Sequence, residues 1–342
     1  MSDECDKTGP PWGKLAVEQY FITNWDHSSA ETPDQQRKRL VTGFLDLKLI
    51  PAEWMTNCEG DPSLIPPREP STEEIETILR PYRCGKLRWH ADNIYTGELC
   101  PMLLRTHYSN DEDEKKRHDE MMEEWIDVEI FGDEAWWAVL DDADLFNFGS
   151  DWCRIYDILP EVSYPIEFGF TTKDNHQYFV RYIELCEYGE VRPFFKRDLA
   201  ARKQSDPQAW RDDRDSVIES VGMTMQSSAT TTYIFIADEE AFESGRPRVI
   251  YLDGLRRIVR EGRMDPERDD FGSIIGLRMT TYELLEYTML DEKYRVNGEI
   301  GKELYQLTEE DLADPTVILH TGVGPTTGIL SVRPIQTGSG AP

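Results

Sequence analysis

Apolar residues recur along this chain in two rhythms, one helical and one alternating. Leu40, Val41, Phe44 and Leu45 fall on one helical stripe. Thr32 precedes Pro33, and Gln35 stands three places beyond the threonine, so the pattern predicts a capped helix over 33–48, ended by Pro51. A second capping box, Ser71 with Glu74, opens a short helix predicted at 72–79 with Ile75, Ile78 and Leu79 inward and Pro81 beyond it. Strand-like runs follow at 86–90 and 103–108. The polar stretch 109–120 leads into Met121, Met122, Trp125 and Ile126 as a helix whose later turns are docked, and 134–140 reads as a strand.

Strand signals dominate the middle of the chain. Residues 166–171 and 177–185 flank Asp174-Asn175 as a hairpin, and 230–237 and 248–252 are strong β runs. Residues 203–216 are polar and lack periodicity. Leu255, Ile258 and Val259 predict a helix at 254–262, and Thr280 with Glu283 predicts another at 281–291. Asn297-Gly298 between strand-like flanks predicts a two-residue hairpin, since both turn residues need positive φ. Thr308 and Asp311 suggest a helical turn, and 316–320 and 329–335 read as closing strands around the turn Gly322–Gly328.

Strands and helices alternate irregularly, with no repeat and no Gly-rich βα turn. The expected class is α+β: a mixed or mostly antiparallel β-rich core with several helices, preceded by a short N-terminal helical segment. The expected divisions are a disordered arm at 1–13, a helical segment at 14–56, a Pro-rich connector at 57–72 (Pro62, Pro66, Pro67, Pro70), a main domain at 73–335 and a loose tail at 336–342.

Charge changes the picture most. The 342 residues carry 66 acids against 37 Lys and Arg, a net −29, which disfavours nucleic-acid phosphates and anionic lipid as partners. The N-terminus has no apolar signal core, and no run approaches the ~18 apolar residues of a membrane helix. Six cysteines, none in a C-x-x-C pair, read as reduced thiols of a cytoplasmic or nuclear protein. Thirteen Phe, fifteen Tyr and nine Trp are enough aromatic material for a core, where Trp89, Trp125, Trp136, Trp137, Trp152 and Trp210 are first expected.

The acids are unevenly placed. Fifteen lie between 111 and 144, including Glu120, Glu123 and Glu124, without the alternate-ligand spacing of an EF-hand. The sign reverses at Arg246, Arg248, Arg256, Arg257, Arg260 and Arg263. On a 254–262 helix, Arg256, Arg260 and Arg263 would share one face. Their guanidinium forks suit carboxylates. The leading expectation is therefore a non-catalytic protein of protein–protein contact or self-association, using the acidic block and the Arg-bearing helix.

A second expectation is catalytic. His90-Ala91-Asp92 is an H-x-D pair on or just after a predicted strand, His320 ends a later strand, and Arg333 lies on the next. This constellation resembles that of the Fe(II)/2-oxoglutarate oxygenases. The resemblance implies His90, Asp92 and His320 as a facial triad for Fe(II), and Arg333 as the anchor for the 2-oxoglutarate carboxylate. The turn Gly322–Gly328 lacks the Lys-Ser/Thr end of a phosphate loop, and no nucleophile elbow is present.

Overall fold

A computed structural model describes residues 9–47, 49–51, 54, 68–83, 85–96, 102–126, 138–163, 178–180, 199–213, 230, 232–268 and 274–276. The helices are α1 (Ala16–Asn24), α2 (Pro33–Leu45), α3 (Thr72–Glu74, running into a π-turn at Ile75–Leu79), α4 (Lys86–Thr96), α5 (Glu112–Ile126), α6 (Ala143–Phe146), α7 (Ile155–Ile158), α8 (Pro207–Asp212) and α9 (Glu239–Ser244). The strands are β1 (Leu49–Pro51), β2 (Met102–Arg105), β3 (Ala138–Leu140), β4 (Tyr178–Val180), β5 (Thr232–Ala237), β6 (Arg248–Leu252), β7 (Ile258–Arg263), β8 (Glu267–Arg268) and β9 (Ile274–Gly276). The fold is α+β with a mixed sheet, and the N-terminal helices are present.

The central sheet has the order β3-β2-β5-β6-β7. Strands β3, β2 and β5 run parallel, while β5, β6 and β7 form an antiparallel meander. Every residue of β2 and β5 is buried, so both faces of the sheet are covered. Alternation sorts the two faces. Met102, Leu104, Leu140, Ile234, Ile236, Ile250 and Leu252 join one core cluster with residues of α1, α2 and α7, among them Phe21, Phe44 and Ile155. The residues between them, such as Arg105, look the other way, toward Asp119 of α5 and Phe242 of α9.

The two expected capping boxes form as read. Thr32 accepts from the Gln35 amide and Ser71 from the Glu74 amide, with each N3 side chain returning the bond. The strands at β2, β5 and β6 and the helix α5 also fall where the apolar pattern put them. Helix α1 lacks a polar stripe, because Val17, Glu18, Gln19, Phe21 and Ile22 are all buried, and so it left little trace in the pattern. Helix α8 lies inside the aperiodic stretch 203–216. Asp206 caps it through the Ala209 amide and Pro207 occupies its first position.

Two elements differ in kind from expectation. Residues 86–90 are the first turns of α4, not a strand. Gly85, at φ 54°, opens the helix, and Arg88, Ala91 and Ile94 fall at helical spacing with the first two fully buried. Residues 254–262 are not a helix: they form a turn and then β7. Asp253 makes the turn, its Oδ1 accepting from the amides of Leu255 and Arg257 and its Oδ2 from Arg257 Nε at 2.6 Å. Gly254 and Gly262 weaken a helix while Ile258 and Val259 favour a strand, so pairing with β6 wins over a three-residue apolar period. The Asp174-Asn175 turn and everything expected beyond residue 276 lie outside the described residues.

Buried ion pairs bind the N-terminal helices to the rest. Arg88 Nε donates to Glu18 Oε1 at 2.7 Å with both side chains fully enclosed, and the Arg88 guanidinium lies 3.6 Å from the centre of the Trp12 ring. The other Glu18 oxygen accepts the Gly13 amide, and Arg88 Nη2 donates to the Pro10 carbonyl, so residues 9–13 at the end of the expected arm are tethered. Gly13 needs its missing Cβ: at φ 86° that atom would meet Pro70 at 2.6 Å. Arg83 and Glu161 form a second enclosed pair at 2.5 and 2.7 Å. Arg37 of α2 donates to the carbonyls of Thr77 and Ile78.

Removing one partner of an enclosed pair leaves the other charge uncompensated. Glu18→Ala is therefore expected to cost about 3–5 kcal/mol in urea unfolding, and the double change Glu18→Leu/Arg88→Met to cost clearly less; equal losses would show that the pairing does not matter. A more exposed pair gives a pH dependence. Arg68, bonded at 2.7 and 2.9 Å, and then the Ser71 cap hold the Glu74 carboxyl down from 4.5 to about 2. A carboxyl lowered in the folded state contributes stability above its unfolded value and loses it as pH falls toward the folded one. Thermal melts between pH 4.5 and about 2 should thus fall less steeply for Glu74→Gln than for the parent chain.

Candidate functional site

The chain leaves β2 through α5 to β3 on one side, and later enters β5 on the other side of β2. Strand order therefore reverses at β2, and the crevice beyond the carboxyl ends of β2 and β5 is the place where open sheets with parallel strands bind ligands. In this crevice the chain places Arg105, Thr106, His107 and Tyr108 at the end of β2, Asp141 and Asp142 at the end of β3, and Asp238 at the end of β5.

Arg105 is the centre of the cluster and only 2% exposed. Its Nε donates to the His107 carbonyl at 3.1 Å, and its Nη1 donates to Asp119 at 2.6 Å and to Asp141 at 3.4 Å. The guanidinium carbon lies 4.6 Å from the Tyr108 ring centre and 5.2 Å from that of Phe242. Its Nη2 is buried and has no acceptor. Burial, together with the carboxylate of Asp141, pushes the Tyr108 phenol well above its usual range.

Phe242 organises the neighbouring helix. Its ring stacks on His118 at 4.1 Å and 15°, and on Trp125 at 5.6 Å and 22°. His118 and Trp125 stand two turns apart on α5, so Phe242 is held between them. Burial first, then the charges of Arg105 and Arg117, lower the His118 pKa and keep the ring neutral. His118 Nε2 faces the donor Nη2 of Arg117 at 3.4 Å. A guanidinium can only donate, so Nε2 accepts and the proton sits on Nδ1, which is buried and without a partner. Sequence reasoning missed this cluster. Arg105 and His118 are thirteen residues apart and carry no motif; only the adjacency of β2 and β5 brings Phe242 to them.

The expected interaction residues are found at two separate places. Glu120, Glu123 and Glu124 lie on the exposed face of α5, opposite buried His118, Met122 and Trp125. Lys116 reaches Glu120 at 3.6 Å. The arginines lie on a hairpin, where a strand's alternation replaces the common face of the expected helix. Arg256, at φ 63°, donates to the Leu45 carbonyl at 2.8 Å and to Asp46 at 3.1 Å. Arg257 pairs with Asp253, Arg248 with Glu261, and Arg263 with Asp238 and Glu240. Arg260 is buried.

His90 and Asp92 lie on α4, not on or after a strand. Two positions apart on a helix, they project about 200° apart, which does not direct both at one ion. The His90 ring packs on Phe146 at 5.6 Å, and burial lowers its pKa. His320 and Arg333 lie outside the described residues. Among the described residues, no three His, Cys, Asp or Glu side chains are grouped so as to hold a metal ion. Cys153 is a free, exposed thiol. Of the six tryptophans first expected in the core, Trp125 and Trp152 are buried and Trp210 is half-buried; Trp89 is 52% exposed, while Trp136 and Trp137 lie outside the described residues. No helix among the described residues is long and apolar enough to cross a membrane.

Comparison of the whole chain with known protein families, with curated proteins and with solved structures returns no match.

Phe242 is the structural pivot of this face. Phe242→Ala deletes both ring stacks and is expected to destabilise the chain by about 3–5 kcal/mol, measured by denaturant midpoint, whereas Phe242→Leu should lose less than half as much. A similar loss for both, neither of which keeps the ring, would mean that stacking and not filled volume sets the cost.

Proposed function

We propose that this chain is a protein-interaction module of the cytoplasm or nucleus, and that it docks a basic partner on the outer face of α5. The observation that supports the reading is the division of this helix. His118, Met122 and Trp125 fix its inner face to the sheet side, while Glu112, Asp113, Glu120, Glu123 and Glu124 are exposed on the other and outnumber the exposed Lys115, Lys116 and Arg117 of the same helix. A docked helix presents these carboxylates as a preorganised row, which lowers the ordering cost of binding. Arg248, Arg256, Arg257 and Arg263 are already engaged by this chain's own acids, so they do not enter this reading. The complementary charge comes from a second molecule. Phosphate-rich nucleic acid is the wrong sign for such a face.

The test is Glu120→Gln/Glu123→Gln/Glu124→Gln, three exposed changes that leave the inner face untouched. Binding of a Lys/Arg-rich peptide, read by fluorescence anisotropy, should weaken about tenfold or more if each lost charge contributes about 0.5 kcal/mol, and the parent complex should weaken with added salt. Unchanged binding by the triple variant would remove this reading.

A further inference from the structure

We infer that the crevice at the carboxyl ends of β2 and β5 is a binding site for a small, neutral, flat molecule bearing a carbonyl oxygen beside an N–H group, such as a lactam heterocycle. Arg105 Nη2 and His118 Nδ1 supply its donors, and Asp141 supplies an acceptor.

Three observations converge on this. The first is placement, since the crevice lies where strand order reverses around β2. The second is the hydrogen-bond account. Arg105 and His118 are each at least nine-tenths buried, and each carries an N–H without an acceptor. A buried donor left unpaired costs about 1–3 kcal/mol, and the two side chains lie against one ring, His118 at 4.1 Å and the Arg105 guanidinium carbon at 5.2 Å from the centre of Phe242. Both missing partners are acceptors, which points to a carbonyl-type oxygen. The third is access. His107, Tyr108 and Ser109, which follow Arg105, are half-buried, and Asp141 is exposed, so the cluster opens toward solvent at that end.

Shape and charge then narrow the ligand. Guanidinium hydrogen bonds lie in the guanidinium plane. A molecule accepting from Nη2 extends in that plane, past the Tyr108 and Phe242 rings that lie 4.6 and 5.2 Å from the guanidinium carbon. Flat molecules fit such walls. Arg105 already has Asp119 and Asp141 near it, and His118 is neutral. The Arg105 charge is therefore already matched by carboxylates before any ligand arrives, which disfavours a carboxylate or phosphate and favours a neutral oxygen. Asp141, only 3.4 Å from Arg105 and partly exposed, has oxygen lone pairs left for the ligand's N–H.

The site is distinct from the outer face of α5, and its test is independent of peptide binding. Uracil, guanosine and nicotinamide serve as neutral amide probes, with acetate and inorganic phosphate as anions, each followed by saturation-transfer NMR and calorimetric titration on the full chain. At least one neutral probe should bind saturably. His118→Phe keeps the ring stack on Phe242 and deletes the Nδ1 N–H together with the Nε2 that faces Arg117, so affinity should fall roughly three- to tenfold; Arg105→Lys, which keeps the charge and loses the planar fork, should reduce it further. Circular dichroism confirms that each variant is folded, and His118→Phe decides the case if Arg105→Lys is not. The inference is overturned if no neutral probe binds, if the bound probe is indifferent to His118→Phe, or if the anions bind in place of the neutral amides.

Discussion

Glu18 and Arg88 are enclosed together, and much of the chain is arranged so that they can be. A carboxylate and a guanidinium removed from water are tolerated when they are paired with good geometry and supported by further hydrogen bonds. Here Glu18 takes Arg88 and the Gly13 amide, while Arg88 also takes the Pro10 carbonyl and lies against Trp12. That requirement fixes α1 against α4 in one orientation and draws residues 9–13 across both. Apolar packing of Phe21 and Phe44 would tolerate several angles between helices; the ion pair tolerates one. The Arg83–Glu161 pair repeats the device nearer to α7. The gain is uniqueness of arrangement more than net stability.

The two faces of the sheet are built differently as a result. Toward α1, α2 and α7 the core is continuous and apolar, with charge admitted only as matched pairs. Toward α5 and α9 the layer is aromatic and polar, with Phe242 between His118 and Trp125 and the Arg105 guanidinium beside it. The strong net negative charge resides outside both, on surfaces such as the outer side of α5.

Local chemistry was legible at two helix starts, although the equally local Asp206-Pro207 start of α8 was passed over. Thr32-Pro33-Asp34-Gln35 and Ser71 with Glu74 announce helix starts because a side chain within three residues satisfies the amides. The strands 232–237 and 248–252 are legible because β-branched and aromatic residues run unbroken there. The 254–262 segment was not, since Leu255, Ile258 and Val259 fit a helical period while strand pairing to β6 is a long-range term. The 86–90 segment failed for the opposite reason: its helix is set by Gly85 and by burial of Arg88, which composition would place at the surface. The Arg105 cluster was illegible because its members come from two strands and two helices joined only by topology, whereas His90 and Asp92, adjacent in sequence, drew attention to a pairing that helical geometry separates.

The pairing of β2 with β5 has a temporal consequence. Facing residues such as Arg105 and Ala237 are separated by about 130 residues of intervening chain. At translation rates of 5–20 residues per second, β2 exists for roughly 6–25 s before its main partner leaves the ribosome. During that interval Leu104 can already pack with residues of α1, α2 and α7, while Leu103 and the inner side of α5 still await Phe242 and the rest of the sheet. Strand β3, three residues long and parallel, is a provisional companion during synthesis as well as an edge strand afterward. The newborn chain is most in need of chaperone protection in this window, when its abundant negative charge is already present and its sheet is not.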